Sequence, residues 1–201
     1  MAELPLFPLR AVLFPAGLLE LRIFEARYLD LVSRCLRERL PFGVIALRAG
    51  SEARSGGDAV QLHDVGTLAE LIDVDSAEAG ILEVRCRGGE RFRLVGDAYQ
   101  ERDGLWVAAT APLDADATMP PAPAHADAVQ ALVGAIAALA AQGSRPFLEP
   151  HRLDSAGWVA NRWCEILPLP LEVRQRLLTL ADPLVRLDVV ASLLRVRESS
   201  S

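Results

Sequence analysis

The sequence contains no lysine, and all 21 of its basic residues are arginine. The chain therefore has no Schiff-base lysine, no lysine-bearing phosphate loop and no serine–lysine dyad. Cysteine is scarce as well. Cys35, Cys86 and Cys164 are odd in number, lie far apart in apolar contexts and lack the spacing of metal ligands. We expect three buried free thiols in a reducing cytoplasm.

The chain is equally poor in the clusters that carry catalysis. Its three histidines, His63, His125 and His151, are scattered, so we expect no metal site. Asp73 and Asp75 form a carboxylate pair, but no nucleophile, base partner or cofactor loop accompanies them. The sequence therefore predicts no catalytic site and no cofactor.

Positive charge is not in excess, because 27 acidic residues oppose the 21 arginines and give a net charge of −6. Nonspecific nucleic-acid binding depends on clustered positive charge, so nucleic acid is not the expected partner. A long apolar leader is also missing, since Glu3 and early prolines interrupt the first residues. The apolar run at 132–141 is alanine-rich and short for a bilayer. These absences predict a cytoplasmic protein without a signal peptide or a membrane partner.

What is present is a chain with 51% hydrophobic residues, enough for one sizeable core or two small ones. The segment 112–124 holds three prolines within four positions, which disfavours helix and marks a connector. Strand-like patterns precede this segment and helical patterns follow it. The sequence thus predicts an α+β protein: a small antiparallel β-barrel with an inserted helix at 1–111, the Pro-rich connector at 112–124 and a helical bundle at 125–198.

In the first part, short strand-like segments alternate with turn signals. They span residues 3–9, 12–24, 42–48, 61–63, 66–74, 81–87, 91–99 and 105–111. A helix interrupts them at 25–39, where apolar residues recur at three- and four-residue spacing and Pro41 follows. The segment 49–59, rich in glycine and serine, is predicted to be a mobile loop.

A turn is predicted at Gly88-Gly89. A two-residue loop would mix charged and apolar side chains on both faces. A three-residue loop that includes Glu90 instead pairs Cys86 with Phe92 and leaves one face apolar. That register gathers four arginines on the outer face: Arg85, Arg87, Arg91 and Arg93. Because like charges repel, we expect acidic groups nearby, from this chain or from a partner.

The second part contains four helical segments. The first, at 124–141, is rich in alanine, and the second begins after an N-cap at Asp154-Ser155. Prolines at 168 and 170 separate the second segment from the third. Asp182-Pro183 caps the last one, because proline at the first helical position costs no intrahelical bond.

Several blocks of the sequence resemble the N-terminal substrate-recognition domain of Lon proteases. The longest is the stretch 4–30, which ends in the run Arg22-Ile-Phe-Glu-Ala-Arg-Tyr28 and the two residues after it. The other blocks follow in family order across nearly the whole chain. They are Pro41-Phe-Gly-Val44, Gly66-Thr-Leu-Ala69, Gly89-Glu-Arg-Phe-Arg-Leu94, Leu167-Pro-Leu-Pro170 and the run Arg174-Gln-Arg-Leu-Leu178, which leads into Asp182-Pro183.

This resemblance implies a barrel of the pseudouridine-synthase-and-archaeosine-transglycosylase type (PUA-like), followed by a helical bundle. It implies recognition and not hydrolysis, because the sequence has neither an ATPase phosphate loop nor the lysine of the Lon proteolytic dyad. The chain resembles a stand-alone bacterial Lon-domain protein, for which unfolded or tagged polypeptides are the expected partners. A separate protease or ATPase is a further candidate partner, and homo-oligomerisation is left open.

Within the resemblance, six residues are candidates for polypeptide binding: Leu13, Phe14, Arg22, Glu25, Arg27 and Tyr28. The proline-bearing segment around the first two would suit a sheet edge that accepts an added strand. Core packing is the alternative for Leu13 and Phe14. For the Arg22–Tyr28 run, the alternative is that it joins the barrel to the helix and holds the fold.

The arginine face formed by Arg85, Arg87, Arg91 and Arg93 is the second candidate surface. It would bind an acidic segment or, as in some PUA-like barrels, RNA. The alternative is a solvated barrel face that is neutralised by acidic residues of the chain itself. The acidic residues considered for this role are Glu70, Asp73 and Glu83.

Overall fold

The structure is a computed structural model that describes residues 3–49 and 60–198. The predicted loop at 49–59 lies outside the described residues, except for Ala49, whose backbone ends a strand. The chain divides into two compact units, Met1–Asp114 and Ala115–Ser201. This division falls inside the connector predicted at 112–124.

In its described part, the first unit contains seven strands and one helix. In chain order these are β1 Glu3–Leu9, β2 Leu18–Ile23, α1 Ala26–Glu38, β3 Phe42–Ala49, β4 Gln61–Glu78, β5 Ile81–Leu94, β6 Tyr99–Gln100 and β7 Trp106–Pro112. The second unit has a 3₁₀ turn and four helices. These are Pro123–His125, then α2 Ala126–Ala141, α3 Ala156–Ile166, α4 Leu171–Thr179 and α5 Pro183–Glu198. The predicted α+β class and the inserted helix are confirmed.

The seven strands form one mixed sheet in the order β2-β5-β4-β3-β1-β7-β6. Strand β7 pairs with β5 as well as with β1, so β1, β3, β4, β5 and β7 close into a ring of pairings. One pairing departs from the predicted antiparallel pattern, because β1 and β3 run parallel. Parallel neighbours need a crossover connection, which β2 and α1 supply.

Helix α1 packs on the sheet and forms the main core of the first unit. Phe7 of β1 stacks on Tyr28 of α1 with ring centroids 3.9 Å apart. Cys35 of the helix and Cys86 of β5 are buried in this core, and burial raises the pKa of Cys86 to about 12. Both are free thiols, as is the buried Cys164 of the second unit. The prediction of three buried free thiols is confirmed.

The long β4–β5 hairpin replaces the turn predicted at Gly88-Gly89. Strand β5 continues through these glycines, and the chain reverses instead at Gly80, whose φ of +81° suits glycine. Gly88 is required for a different reason, because a Cβ there would collide with the carbonyl oxygen of Phe14. The predicted pairing of Cys86 with Phe92 is therefore wrong, since Cys86 pairs with residues of β2 and β4.

Helix caps organise the second unit as predicted. The side chain of Ser155 accepts a hydrogen bond from the backbone N–H of Trp158 at 3.3 Å, which starts α3. The carboxylate of Asp182 accepts one from the N–H of Leu184 at 2.8 Å, at the start of α5. Both predicted caps are confirmed.

An ion pair between a buried arginine and a partly exposed aspartate lies in this unit. Arg186 is 1% exposed and donates to both carboxylate oxygens of Asp116 and to the side-chain oxygen of Asn161. It also donates to the carbonyl oxygen of Leu177 at 3.0 Å. The charge is therefore paired and hydrogen-bonded, which is the condition under which an arginine is stable in an interior.

Helix α2 is apolar and largely exposed. Together with the preceding 3₁₀ turn it forms the 19-residue segment Pro123–Ala141. An 18-residue stretch of this segment has a mean hydropathy of 1.5, and 17% of that stretch is buried. By length and composition alone this segment would reach across a membrane, unlike the shorter run at 132–141 considered from the sequence. One such helix is a weak indication of a membrane span, because helices of soluble proteins and signal sequences meet the same criterion.

Candidate functional site

The segment between β2 and α1 joins the sheet to the helix, and Arg27 lies at its centre. Arg27 is 7% exposed; its Nη1 donates to the carbonyl oxygen of Gly104 at 2.8 Å and its Nη2 lies 2.7 Å from Oε2 of Glu25. The guanidinium carbon is 4.6 Å from the ring centroid of Tyr28, which is also buried. The positions of Arg27 and Tyr28 support the alternative reading, in which they hold the fold.

Leu13 and Phe14 are not accessible in this fold. Their exposures are 5% and 0%, and the carbonyl oxygen of Leu13 accepts a hydrogen bond from Thr67 at 2.6 Å. The strand ahead of them offers no free edge either, because β1 pairs with β3 on one side and with β7 on the other. The expected edge at this position is corrected to a central strand, and both side chains belong to the core.

Arg22, Phe24 and Glu25 are the accessible part of the junction. The side chain of Arg22 is 59% exposed and lies 3.4 Å from Glu78, while that of Glu25 is 29% exposed. Phe24 is 66% exposed and was not among the candidates from the sequence. The alternation of side chains along a strand indicates that Phe24 is exposed. Ile23 is buried, so the next side chain faces the opposite side of the sheet.

The predicted arginine face is divided by the fold. Arg91 is 4% exposed and donates to the backbone carbonyl of Asp114 at 2.9 Å. Arg85, Arg87 and Arg93 are exposed. These four side chains therefore do not form one continuous positive surface.

Acidic residues of the same sheet accompany the exposed arginines. Arg85 is the Cα partner of Glu20 on β2 and of Asp73 on β4, and its Nε lies 3.4 Å from Oε1 of Glu20. Arg87 is the Cα partner of Glu70. The groove over this part of the sheet, of about 420 Å³, is lined by four carboxylates and two arginines. For Arg85 and Arg87 the expected acidic groups thus come from the chain itself, whereas the Cα partners of Arg93 are Val65 and Ala111.

A second groove, which we name the α1 groove, lies between the C-terminal end of α1, β1 and the β6–β7 region. Its volume is about 290 Å³. Its lining combines three carboxylates and one arginine with Cys35 and apolar side chains: Glu3, Glu38, Glu101, Arg34, Pro5, Leu40, Pro41 and Val107. Leu40, which follows the end of α1, is 55% exposed, whereas Leu36, at 50% exposure, lies on α1 outside the lining of this groove. Tyr99, also exposed, donates to Glu3 at 2.7 Å. The α1 groove offers apolar contact beside negative charge.

The features of these surfaces suit the binding of a partner. His63 and His125 are buried, and Nε2 of His125 lies 2.7 Å from Oδ1 of Asp188. Within residues 3–49 and 60–198, no group of three or more His, Cys, Asp or Glu side chains is placed to hold a metal ion. The grooves can recognise a partner through shape, apolar contact and charge.

Comparison with known proteins assigns the whole chain to one family. Residues 3–196 match the family model of the ATP-dependent protease La (LON) substrate-binding domain. A crystal structure of a Lon N-terminal domain protein from Xanthomonas campestris is 32% identical, with a TM-score of 0.77 over 96% of this chain and 98% of that one. The N-terminal domain of a Mycobacterium avium complex Lon protease is 14% identical and shares the fold, with a TM-score of 0.66 over 95% and 97% of the two chains. No curated protein matches the sequence. This chain belongs to the Lon substrate-binding domain family.

Proposed function

We propose that this chain is a non-catalytic recognition module that binds exposed apolar segments of unfolded or tagged polypeptides in the cytoplasm. It would serve as an adaptor or a chaperone-like factor, alone or with a separate protease or ATPase. The observation that carries the proposal is the match of residues 3–196 to a substrate-binding domain. The lack of any lysine in these residues supports a role without Lon-type hydrolysis.

The α1 groove supports this proposal most directly. Exposed apolar side chains that cluster beside a groove are typical of interaction surfaces on soluble proteins. Leu40 would cover apolar side chains of a client. The carboxylates of Glu3, Glu38 and Glu101 outnumber the one arginine of the lining and would face basic side chains of the client. The preferred client segment is therefore apolar and flanked by arginine or lysine.

Removing the exposed leucine of the groove tests this surface. We expect Leu40→Ser to weaken binding by about tenfold or more, because burial of a leucine side chain contributes roughly 1.5–3 kcal/mol. Binding would be measured by fluorescence anisotropy of labelled apolar peptides, with and without flanking basic residues, and of a chemically unfolded protein. The labelled client should be recovered intact after incubation with ATP.

Ile72→Ser is the matched control, because Ile72 is similarly exposed, at 47%, but lies on β4 outside the α1 groove. It should bind clients as well as the parent chain. Loss of binding in the control and in Leu40→Ser alike would remove the α1 groove from the proposal. Absence of binding to every probe by the parent chain would contradict the proposed function itself.

A further inference from the structure

Strand β2 forms an open edge of the sheet. It pairs with β5 on one side and, in the part of the chain that the structure describes, with no strand on the other. The strand spans Leu18–Ile23, contains no proline and has no register shift against β5. Proteins usually blunt a free edge with prolines, bulges, very short strands or charged side chains. At this edge the charges are one of each sign, Glu20 and Arg22.

The backbone groups of Glu20 and Arg22 face away from β5. Just ahead of β2, the carbonyl oxygen of Gly17 accepts a hydrogen bond from the N–H of Gly88 at 2.9 Å. Hydrogen-bonded pairs recur at every second residue of an antiparallel ladder, so the odd-numbered residues of β2 bond to β5. The N–H and C=O groups of the even-numbered residues therefore point outwards and are available to another strand.

We propose that β2 pairs with β2 of a second copy of this chain, antiparallel and centred on Leu21. In this register Glu20 lies opposite Arg22 of the second copy, and Arg22 lies opposite its Glu20. In both pairs the backbone N–H and C=O groups point away from β5. The backbone hydrogen bonds and the charges therefore favour the same register. A shift of two residues in either direction places Glu20 opposite Glu20 or Arg22 opposite Arg22, which is unfavourable.

The strands behind the edge extend this charge pattern. Glu83 on β5 is the Cα partner of Arg22, and Arg85 is the Cα partner of Glu20. A row across the joined sheets would contain Glu83 and Arg22, followed by Glu20 and Arg85 of the second copy. The sign of the charge alternates at every step, and the two-fold axis repeats the row in the reverse direction.

Apolar side chains complete the contact. Leu19 and Leu21 are only half-buried at this edge. Pairing would place Leu21 opposite Leu21, and Leu19 opposite Ile23 of the second copy. Phe24, at 66% exposure, would lie opposite Leu18 and lose much of its contact with water.

A second copy fits this edge better than a client strand does. Any extended polypeptide could satisfy the outward backbone groups, but only a sequence with the same charge order satisfies Glu20 and Arg22 together. A second copy of β2 that runs antiparallel places Arg22 opposite Glu20 and Glu20 opposite Arg22, as a two-fold contact requires. This inference concerns β2 and does not depend on client binding at the α1 groove.

Charge reversal at the edge tests the proposal. Light scattering and sedimentation equilibrium at micromolar concentrations should give the parent chain twice its monomer mass of 21.7 kDa. Glu20→Arg and Arg22→Glu should each give monomers, because each places like charges opposite each other twice. An equimolar mixture of the two variants, and the double variant, should regain the doubled mass, since opposite charges face each other again.

Two further variants separate this contact from other effects. Glu70→Arg makes the same charge change beside Arg87 but away from the edge, and it should stay dimeric. Arg22→Pro removes an outward N–H and should be monomeric, with an unchanged thermal midpoint relative to Arg22→Glu. A monomeric parent chain overturns the proposal, as does a dimer that the single reversals leave intact or a mixture that stays monomeric. If the parent is monomeric and Arg22→Pro loses client binding, the edge belongs to a client strand instead.

Discussion

The side chain of Arg27 shows how a motif residue can serve the fold. Its guanidinium links the start of α1 to the backbone at Gly104 and to Glu25, and its planar face lies against Tyr28. A charge in this position must keep its partners, because an interior stabilises a guanidinium only through hydrogen bonds and opposite charge. The run Arg22–Tyr28 thus combines an exposed part, at Arg22 and Phe24, with a buried part that anchors the helix.

Replacing Arg27 separates these two roles. We expect Arg27→Met to lower the free energy of unfolding by about 1.5–3 kcal/mol, the range for hydrogen bonds that involve a charged group. Arg22→Met, at an exposed position, should change it by no more than about 0.5 kcal/mol. Both can be measured by urea unfolding followed by circular dichroism. If Arg27→Met instead leaves stability intact and weakens client binding at a temperature where the protein is folded, Arg27 is a contact residue.

At the scale of elements, the long β4–β5 hairpin shapes the first unit. One end of the hairpin is part of the ring of paired strands. Beyond the ring, β5 pairs with β2. Gly88 makes this possible, because the chain ahead of β2 passes directly over it: the carbonyl of Gly88 accepts a hydrogen bond from Ala16 at 2.7 Å. The open edge of β2 and the paired charges beside it both follow from this arrangement.

Two glycine substitutions should have opposite effects. Gly88→Ala forces a Cβ against the carbonyl oxygen of Phe14, so we expect it to lower the free energy of unfolding by about 1–3 kcal/mol, as overpacking does. Gly134→Ala, within α2, meets open space and should raise it by roughly 0.5–1 kcal/mol, since alanine favours helix. Urea unfolding of both variants gives the comparison. Equal effects of the same sign would contradict the assigned role of Gly88.

Elements defined by local chemistry could be predicted from the sequence, and those defined by distant contacts could not. The caps at Ser155 and Asp182 were predictable because a cap joins residues only a few positions apart. Gly88 was assigned to a turn because nothing near it in sequence reveals that Phe14 lies against it. The parallel pairing of β1 with β3 likewise depends on the crossover through α1.

The candidate site follows the same division. The family blocks predicted the fold and the recognition role, but a motif does not say which of its side chains are buried. Four of the candidates from the sequence are buried and therefore inaccessible: Leu13, Phe14, Arg27 and Arg91. Two residues that were not candidates are exposed: Phe24 and Leu40. Leu36 fits the apolar spacing of α1, yet it lies at the margin of the buried face and is half exposed.

At the scale of the whole molecule, charge decides between the two functions considered. The net charge is −6, and two of the three exposed arginines of β5, Arg85 and Arg87, have carboxylates as neighbours on β2 or β4. Affinity for a phosphate backbone comes from the release of counterions by clustered positive charge. A surface on which arginine and carboxylate alternate releases few counterions from a phosphate backbone. Such a surface is better suited to contact with another protein surface of alternating charge.

We therefore expect no measurable binding of a labelled single-stranded RNA at physiological salt, measured by fluorescence anisotropy. At low salt any weak binding should be insensitive to Arg91→Gln, provided that this variant is folded, because Arg91 is buried and donates to Asp114. Arg85→Gln combined with Arg87→Gln removes the two exposed arginines of β5 that have carboxylate partners. RNA binding by the parent chain that falls steeply with salt and is lost in this double variant would contradict the expectation, because only an accessible cluster of positive charge produces both effects.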